Sequence, residues 1–465
     1  MKIKTAYILL LLLLAGNAMG QTLDEYLTMA AENNPNLKSK YFRYQAALER
    51  VPQVGALPDP QLGFSFFIEP MERYMGDQIG SISLMQMFPW FGTLSAAKDE
   101  MSFMAKAKYE EFNEAKSTLF YEVRANWYAL QLLEKEIAVK KENIELLKTM
   151  EQIAITRFKS GGGSDGLGNM QRPGNPDTGT SDGRTGTMNM PSQTSTGNAS
   201  SARTMPLMSG AENMSNGGGM IDVLRVQIEM NELQNNLERL EDSKTFLMAR
   251  FNQLLNRPAH EPVVLTVSIT AAQLPVSLTD IPDSIKKNNP ILLMLEQEEA
   301  AFMTKRKMKQ RMGLPMIGLG LQYDIFRSRD DGESMASGRS TPMPMVTITL
   351  PIWRNKYNAS VREADFLRQS VAAQKQDAGN QLMVSYEDAL KDYRDAERRV
   401  KLYQTQQVLA NQALNILIAQ YTVGESRFEE GLRMQQQLLD YRLKYLDALI
   451  DGNIAVAMME RLMGR

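Results

Sequence analysis

The chain has 465 residues, 43% of them apolar, and a formal net charge of −2 at pH 7. That balance leaves no basic surplus to neutralise phosphates, so we do not expect nucleic acid as a partner. Cysteine is absent and His260 is the single histidine, which excludes thiolate chemistry and multi-histidine zinc sites. The sequence contains no nucleotide-binding motif and no catalytic constellation, so we expect neither an enzyme nor a cofactor.

The first twenty residues have the pattern of a secretory signal peptide. Lys2 and Lys4 precede an apolar run from 6 to 15, and small residues, Ala18 and Gly20, stand at −3 and −1 of a cleavage site after Gly20. The run is shorter than the roughly 20 apolar residues of a transmembrane helix. We expect residues 1–20 to be removed, leaving a mature chain that is soluble outside the cytoplasm or crosses a membrane through β-strands.

Residues 21–256 form the first of two predicted repeats. A helix breaks and restarts at Asn34-Pro35, and near Pro58 the apolar period changes from helical to alternating. The alternation predicts strands at about 60–70 and 79–88, joined by a polar loop from 69 to 80. A long amphipathic helix, 92–158, and a return helix, 221–256, complete the repeat.

Residues 283–465 repeat this order after a connector, 257–282. Asn289-Pro290 restarts the helix, and strands are predicted at about 315–326 and 344–351. The long helix is 355–421 and the return helix 428–462. Each hairpin passes into its long helix through an elbow that contains a proline and a tryptophan: Pro89, Trp90, Pro351 and Trp353.

The strands are apolar on one side and small or polar on the other. This alternation is typical either of an ordinary half-buried sheet or of the wall of an outer-membrane barrel. Because no other segment is available to cover the apolar side, we favour the barrel wall. Four strands per chain are too few to close a barrel, so several chains must contribute. The fold class is therefore mainly α with a small β part, built from a duplicated helix–β-hairpin–long helix–helix unit.

The order, duplication and spacing of these features resemble the TolC-type family of outer-membrane efflux proteins. The resemblance covers essentially the whole mature chain and implies a homotrimer with a 12-stranded outer-membrane β-barrel and a periplasmic α-barrel. It also implies an exit duct of a Gram-negative bacterium, with the connector in the equatorial region. The partners would be outer-membrane lipid, a periplasmic adaptor (membrane fusion) protein at the helix tips and, through it, an inner-membrane pump. The expected docking residues are Phe158, Gly161, Leu224, Tyr421, Gly424 and Leu432.

One segment departs from the family pattern. Residues 161–219 form a Gly-, Ser-, Thr- and Asn-rich insert at the first tip, with too few large apolar residues to fold and no periodicity. Methionine in such a tract has no core to fill, and thioether sulfur favours monovalent copper. The alternative is compositional drift. The candidate ligands are Met188, Met190, Met205, Met208, Met214 and Met220.

Three functions stay open at this point. We favour a duct that carries heavy-metal cations, copper or silver, because the insert is the one local indication of cargo. A multidrug or type I secretion duct of the same fold is the second, since cargo is normally chosen by the pump. A periplasmic coiled-coil scaffold is the third, although it leaves the apolar strand faces unexplained.

Overall fold

The structure is a computed structural model and describes residues 22–161, 218–265, 269–274, 276–328, 338–423 and 427–465. Over these ranges it contains eight helices and four strands. Each half has two helices, a β-hairpin, a long helix and a return helix, in that order. The first half consists of α1 (Leu23–Asn33), α2 (Pro35–Gly55), β1 (Gln61–Arg73), β2 (Gly76–Phe88), α3 (Thr93–Gly161) and α4 (Gly218–Leu254). The second consists of α5 (Ile281–Asn288), α6 (Pro290–Met312), β3 (Met316–Arg327), β4 (Thr341–Thr349), α7 (Arg354–Val423) and α8 (Phe428–Leu462). The predicted fold class is confirmed.

The strands form one antiparallel sheet in the order β1-β2-β3-β4. The first hairpin differs from its prediction, because most of the segment expected to be a loop is strand. Pairing continues to Arg73 opposite Gly76, so the connection is a two-residue turn, which Gly76 permits with φ of 114°. A register shift between Phe66 and Met71 accommodates Pro70.

Strand β4 also begins earlier than predicted, at Thr341. Its predicted start was at about 344, yet Pro342 and Pro344 both lie within the strand, opposite Tyr323 and Leu321. Proline is tolerated there because β4 is an edge strand of the described sheet, so its outer backbone groups need no partner within the chain.

An equivalent asparagine in each half, Asn34 or Asn289, links the start of that half to the end of its return helix. The Oδ1 of Asn34 accepts from the backbone N–H of Leu37 at 3.1 Å and caps α2, while its Nδ2 donates to the Leu254 carbonyl at 2.9 Å. Asn289 caps α6 in the same way and donates to the Leu462 carbonyl, also at 2.9 Å. Each Asn-Pro motif therefore joins the start of a half to the end of that half's return helix.

The connector is held by buried polar side chains of both halves. Asn252 donates to the carbonyls of Ala259 and Glu261, and the Tyr26 hydroxyl accepts from the Val264 N–H. Asn453 of α8 donates to the Thr270 carbonyl and accepts from the backbone N–H of Ala272. These bonds satisfy backbone groups of the connector, whose described residues up to Asp280 form neither helix nor strand.

The described residues divide into two compact units. The larger comprises Met1–Val139, Glu238–Val408 and Asp440–Arg465; its described part contains the sheet and two cores. In the first core the rings of Tyr26, Trp127 and Phe251 lie 5.2–6.0 Å apart and join α1, α3 and α4. In the second, Ile281 and Ile285 of α5 pack with α7 and α8.

The smaller unit, here termed the tip unit, comprises Lys140–Leu237 and Leu409–Leu439. Its core is formed by side chains of α3, α4, α7 and α8, among them Leu147, Val226, Tyr421 and Phe428. The predicted signal peptide, most of the insert, and Gly424 lie outside the described residues. Among the described helices, none is both long and apolar enough to cross a membrane.

Candidate functional site

The sheet has one apolar face and one polar face, and register fixes which residues share each. In the apolar rows Leu62 lies beside Leu84, which lies beside Leu321, and Ile82 lies between Phe64 and Tyr323. Leu62 is 57% exposed, Phe64 60% and Leu321 51%. The described chain therefore leaves a contiguous apolar surface uncovered.

The opposite face carries small and polar side chains together with methionines. Ser65 and Ser81 share a hydrogen bond of 2.7 Å between their hydroxyls, and Gln322 donates to Asp324 at 2.7 Å. Gly63 and Gly318 have no side chain on this face, which leaves space that neighbouring side chains occupy. A sheet with this division suits a wall between an apolar phase and a hydrated space.

The elbows fix the passage from strand to long helix. Gly92 has φ of 77°, and its carbonyl accepts from Arg311 Nη1 at 2.6 Å. At the second elbow Arg354 Nη1 donates to the Gly313 carbonyl at 2.9 Å. Each arginine joins the end of α6 to an elbow and thereby sets the direction in which α3 or α7 leaves the sheet.

The elbows also expose large apolar side chains. The four predicted elbow residues, Pro89, Trp90, Pro351 and Trp353, follow directly after β2 and β4. Trp90 and Phe91 pack edge to face with ring centroids 6.2 Å apart, yet Phe91 is 82% exposed and Trp353 77%. A band of exposed aromatic side chains therefore lies where each hairpin ends.

In the tip unit Tyr421 of α7 contacts residues of three other helices. Its backbone carbonyl accepts from Arg157 Nη1 at 3.2 Å, and the Arg157 guanidinium lies 4.4 Å from the centre of the Tyr421 ring. On its other side the ring contacts Phe428, with centroids 5.1 Å apart. The Tyr421 hydroxyl is hydrogen-bonded to Asp222 at the start of α4. Burial raises the pKa of Asp222, and the Arg225 and Arg157 charges partly oppose that shift.

Two further polar contacts link helices within the tip unit. Gln435 of α8, 1% exposed, donates a short hydrogen bond from Nε2 to Oδ1 of Asn143 on α3. Arg225 of α4 and Glu429 of α8 form an ion pair of 3.6 Å near the tip. A buried amide pair fixes the relative register of two packed helices, because sliding either one would leave the amides without partners.

The predicted docking residues fall into two groups. Phe158 and Leu224 are 47% and 48% exposed, whereas Tyr421 and Leu432 are buried in the tip core at 6% and 8%. Gly161 is the last residue of α3. The buried pair supports the tip from within, and the exposed pair is available to a partner.

Of the six candidate metal ligands, the structure describes Met220, at the beginning of α4 and 50% exposed. Met188, Met190, Met205, Met208 and Met214 lie outside the described residues. Within the described ranges, no group of three or more His, Asp or Glu side chains is placed to hold a metal ion.

Sequence reasoning missed the Tyr421 network. Arg157 and Tyr421 are 264 residues apart, so no local pattern connects them. One signal could have indicated the contact: Arg157, Tyr421 and Asp222 are all close to predicted helix ends, and those ends were predicted to meet at the tip.

This chain resembles known proteins in its structure and not in its sequence. No family model matches the sequence, and no curated protein matches it. The chain is similar to the solved structure of the transmembrane channel CusC, with a TM-score of 0.70 and 13% identity over 96% of this chain and 92% of that chain. It is similar to the outer membrane protein VceC of Vibrio cholerae, with a TM-score of 0.67 and 13% identity over 95% of each chain. It is also similar to the outer-membrane channel OprN, with a TM-score of 0.68 and 15% identity over 95% of this chain and 89% of that chain. The chain thus has the fold of outer-membrane channel subunits.

Proposed function

We propose that this chain is a subunit of the outer-membrane exit duct of a tripartite efflux system and a member of the TolC-type family. The observation that carries the proposal is the sheet with an exposed apolar face on both hairpins and a polar face behind it. Water disfavours such a face, whereas lipid hydrocarbon favours it. Similarity to channel structures over nearly the whole chain supports the same function. A duct needs no catalytic residues and no cofactor.

The proposed duct is a homotrimer. Strands β1 and β4 lie at the two edges of the described sheet, and unpaired backbone groups cannot face lipid. Three copies contribute twelve strands, and pairing β1 of one copy with β4 of the next closes the barrel.

The exposed elbow aromatics mark one membrane boundary in this proposal. Tryptophan and phenylalanine at a barrel rim are stable at the headgroup level, where part of the ring is wet. Trp90, Phe91 and Trp353 are exposed at the ends of the two hairpins. The helices then extend into the periplasm of a Gram-negative bacterium, which the signal peptide in residues 1–20 allows the chain to reach.

The tip unit is the proposed docking site of a periplasmic adaptor protein, which connects the duct to an inner-membrane pump. The exposed apolar side chains of Phe158 and Leu224 offer contact area, and Gly161 is the last residue of α3. Gly424 is included in the proposal on the sequence pattern alone. Tyr421 and Leu432 act indirectly by holding that surface in place.

Fractionation and conductance test the duct. We expect the mature chain in the outer-membrane fraction, released by detergent, and we expect purified protein to form water-filled pores in planar lipid bilayers. Recovery in the soluble periplasm without detergent would contradict the duct and favour the coiled-coil scaffold.

Copper or silver cations are the cargo that we favour. The methionines of the insert support this proposal, because neutral thioethers bind monovalent soft cations and release them readily. The second candidate is a multidrug or type I secretion duct, in which the insert merely spaces the adaptor joint. Deleting residues 187–216 should lower copper tolerance and leave detergent and dye tolerance unchanged. Unaltered copper tolerance, with no copper bound by the isolated peptide, would remove the metal proposal and leave the duct in place.

A further inference from the structure

The polar face of the sheet contains a group of methionines in addition to those of the insert. Met85 on β2 and Met345 on β4 both pair with Gly320 on β3, one from each side. Met87 on β2 pairs with Gly318, two residues further along β3. Residues paired across neighbouring strands project on the same side, so these three thioethers share one face. They are termed the thioether patch below.

Two glycines form the floor of the thioether patch. A Cβ built on Gly320 would stand 3.5 Å from the Cε atoms of both Met85 and Met345. A Cβ built on Gly318 would stand 2.6 Å from the Sδ of Met87. The three side chains therefore lean over the glycines and occupy the space that larger β3 residues would fill.

Core packing does not explain methionine at these positions. Methionine usually fills gaps in an apolar core. Most large apolar side chains of this sheet are on the opposite face, while this face is mainly serine, threonine, glutamine and aspartate besides its methionines. Ser83, Gln322 and Met343 form the adjacent row, and beyond them Ser81 pairs with Asp324. Thioethers at a hydrated polar face offer sulfur lone pairs without charge.

The chemistry of the patch selects its ligand. Neutral thioether sulfur is a soft donor, whereas hard divalent cations require carboxylate, carbonyl or water oxygens. We propose that Met85, Met87 and Met345 form a binding site for a monovalent soft cation, Cu(I) or Ag(I), on the polar face of the sheet. The proposal rests on the duct function, in which this face lines the conduit and a passing ion meets one such site in each subunit. Because the thioether ligands are uncharged, we expect the ion to bind weakly and to leave again.

Silver binding to the full chain tests the proposal. Silver nitrate in chloride-free buffer is the probe, because Ag(I) has the ligand preference of Cu(I) and needs no reductant. The test variant is Met85→Leu/Met345→Leu, since leucine conserves volume and lacks sulfur. The control is Met303→Leu/Met312→Leu, which removes two exposed methionines of α6 that are 52% and 44% exposed. Both double variants are made in the full chain and in the chain lacking residues 187–216. The difference between the two backgrounds gives the silver that the insert binds, which is then distinguished from silver bound by the patch.

We expect the test variant to bind silver about tenfold more weakly or to lose about one ion per chain, and the control to match the parent. Gly320→Ala, which places a methyl group between the two thioethers, should weaken silver binding in the same direction. Equal silver affinity and stoichiometry in parent and test variant would overturn the site. Bilayer conductance is measured on the same samples and is expected to be equal in parent and variant. A parent that binds silver at this patch without forming pores would overturn the duct and leave the site.

Discussion

At the level of single residues, Tyr421 connects the helix ends of the tip unit. Its hydroxyl, ring and carbonyl each contact a different partner: Asp222, Phe428 and Arg157. Replacement of the tyrosine by phenylalanine keeps the ring contacts and removes the hydrogen bond to a partly buried carboxyl group. Such a loss costs about 1–2 kcal/mol.

We therefore predict that Tyr421→Phe increases amide hydrogen exchange around residues 157, 222 and 421, with little change elsewhere. Mass spectrometry of exchanged peptides measures this. Tyr403→Phe, on the same helix but in the larger unit, is the matched control and should leave tip exchange as in the parent. Unchanged protection of the tip in Tyr421→Phe would show that the hydroxyl does not hold it.

Glu111 gives a pH dependence that can be checked. Hydrogen bonds from Lys108 and Lys40 lower the pKa of Glu111 from 4.5 to about 2. A carboxyl group with a lowered pKa in the folded state contributes stability above its ordinary pKa of 4.5 and loses that contribution as the pH falls toward 2. Glu111→Gln should thus lower the thermal midpoint at pH 7, and its difference from the parent should shrink below pH 4.5 and vanish near pH 2. The exposed Glu363→Gln serves as control, with an expected effect under about 0.5 kcal/mol.

At the level of elements, the elbow before α3 depends on a glycine. Gly92 has φ of 77°, and a Cβ there would stand 2.5 Å from Arg311 Nη1. Gly92→Ala should destabilise the fold by about 1 kcal/mol or more, because it combines backbone strain with a displaced arginine. Gly379→Ala is the matched control: that glycine lies within α7 with no neighbour inside 4 Å, so alanine should stabilise by up to about 1 kcal/mol. Thermal unfolding in detergent measures both, and equal shifts of the same sign would contradict this account of the elbow.

The strands and helices could be predicted because their signals are local. The change from helical to alternating period after Pro58, and the restarts at Asn34-Pro35 and Asn289-Pro290, each lie within a few residues of the element that they define. The length of the first hairpin loop could not be predicted, since polar residues at 69–73 resemble a loop in sequence and continue the strand in space. The start of β4 was placed too late for a related reason: Pro342 and Pro344 lie inside the strand, and their pairing with β3 shows this where the sequence does not.

The site was predictable to the extent that its residues adjoin those elements. The elbow tryptophans stand within four residues of the strand ends, and Trp90 and Trp353 are exposed there; their interfacial position stays a prediction. Arg311 contacts the Gly92 carbonyl from 219 residues away, and the thioether patch depends on register across three strands. Neither contact has a signature within one segment of sequence.

At the level of the whole molecule, the proposed trimer makes a prediction about the sheet edges. The chain contains no cysteine, so two introduced cysteines are its sole thiols. In Ser65→Cys/Thr347→Cys, one thiol lies on β1 and the other on β4, the two edge strands. A short bismaleimide added to membranes should produce linked species of two and three subunits and nothing larger, as resolved by denaturing electrophoresis. Each single variant should give no ladder, and a product confined to monomer in the double variant would contradict closure of β1 on β4.

The chain shares its fold with CusC and VceC at 13% identity. The reason is that this fold requires periods, turns and caps at certain places more than it requires particular side chains. Leucine, isoleucine, phenylalanine and methionine can all supply the apolar positions of a long helix or a lipid-facing strand. Structural similarity thus remains where sequence similarity has disappeared.

The asparagines that close the two halves have a consequence for how the polypeptide could be cut. Asn34 and Asn289 each link the start of a half to the end of the same half. The hydrogen bonds that hold the connector involve residues up to Val264 on one side and from Thr270 onward on the other. A break at a point between Leu265 and Thr270 severs none of them. Two half-chains synthesised separately should consequently associate and assemble as one subunit. A circular permutant opened at the same point should retain the hydrogen bonds of both Asn34 and Asn289.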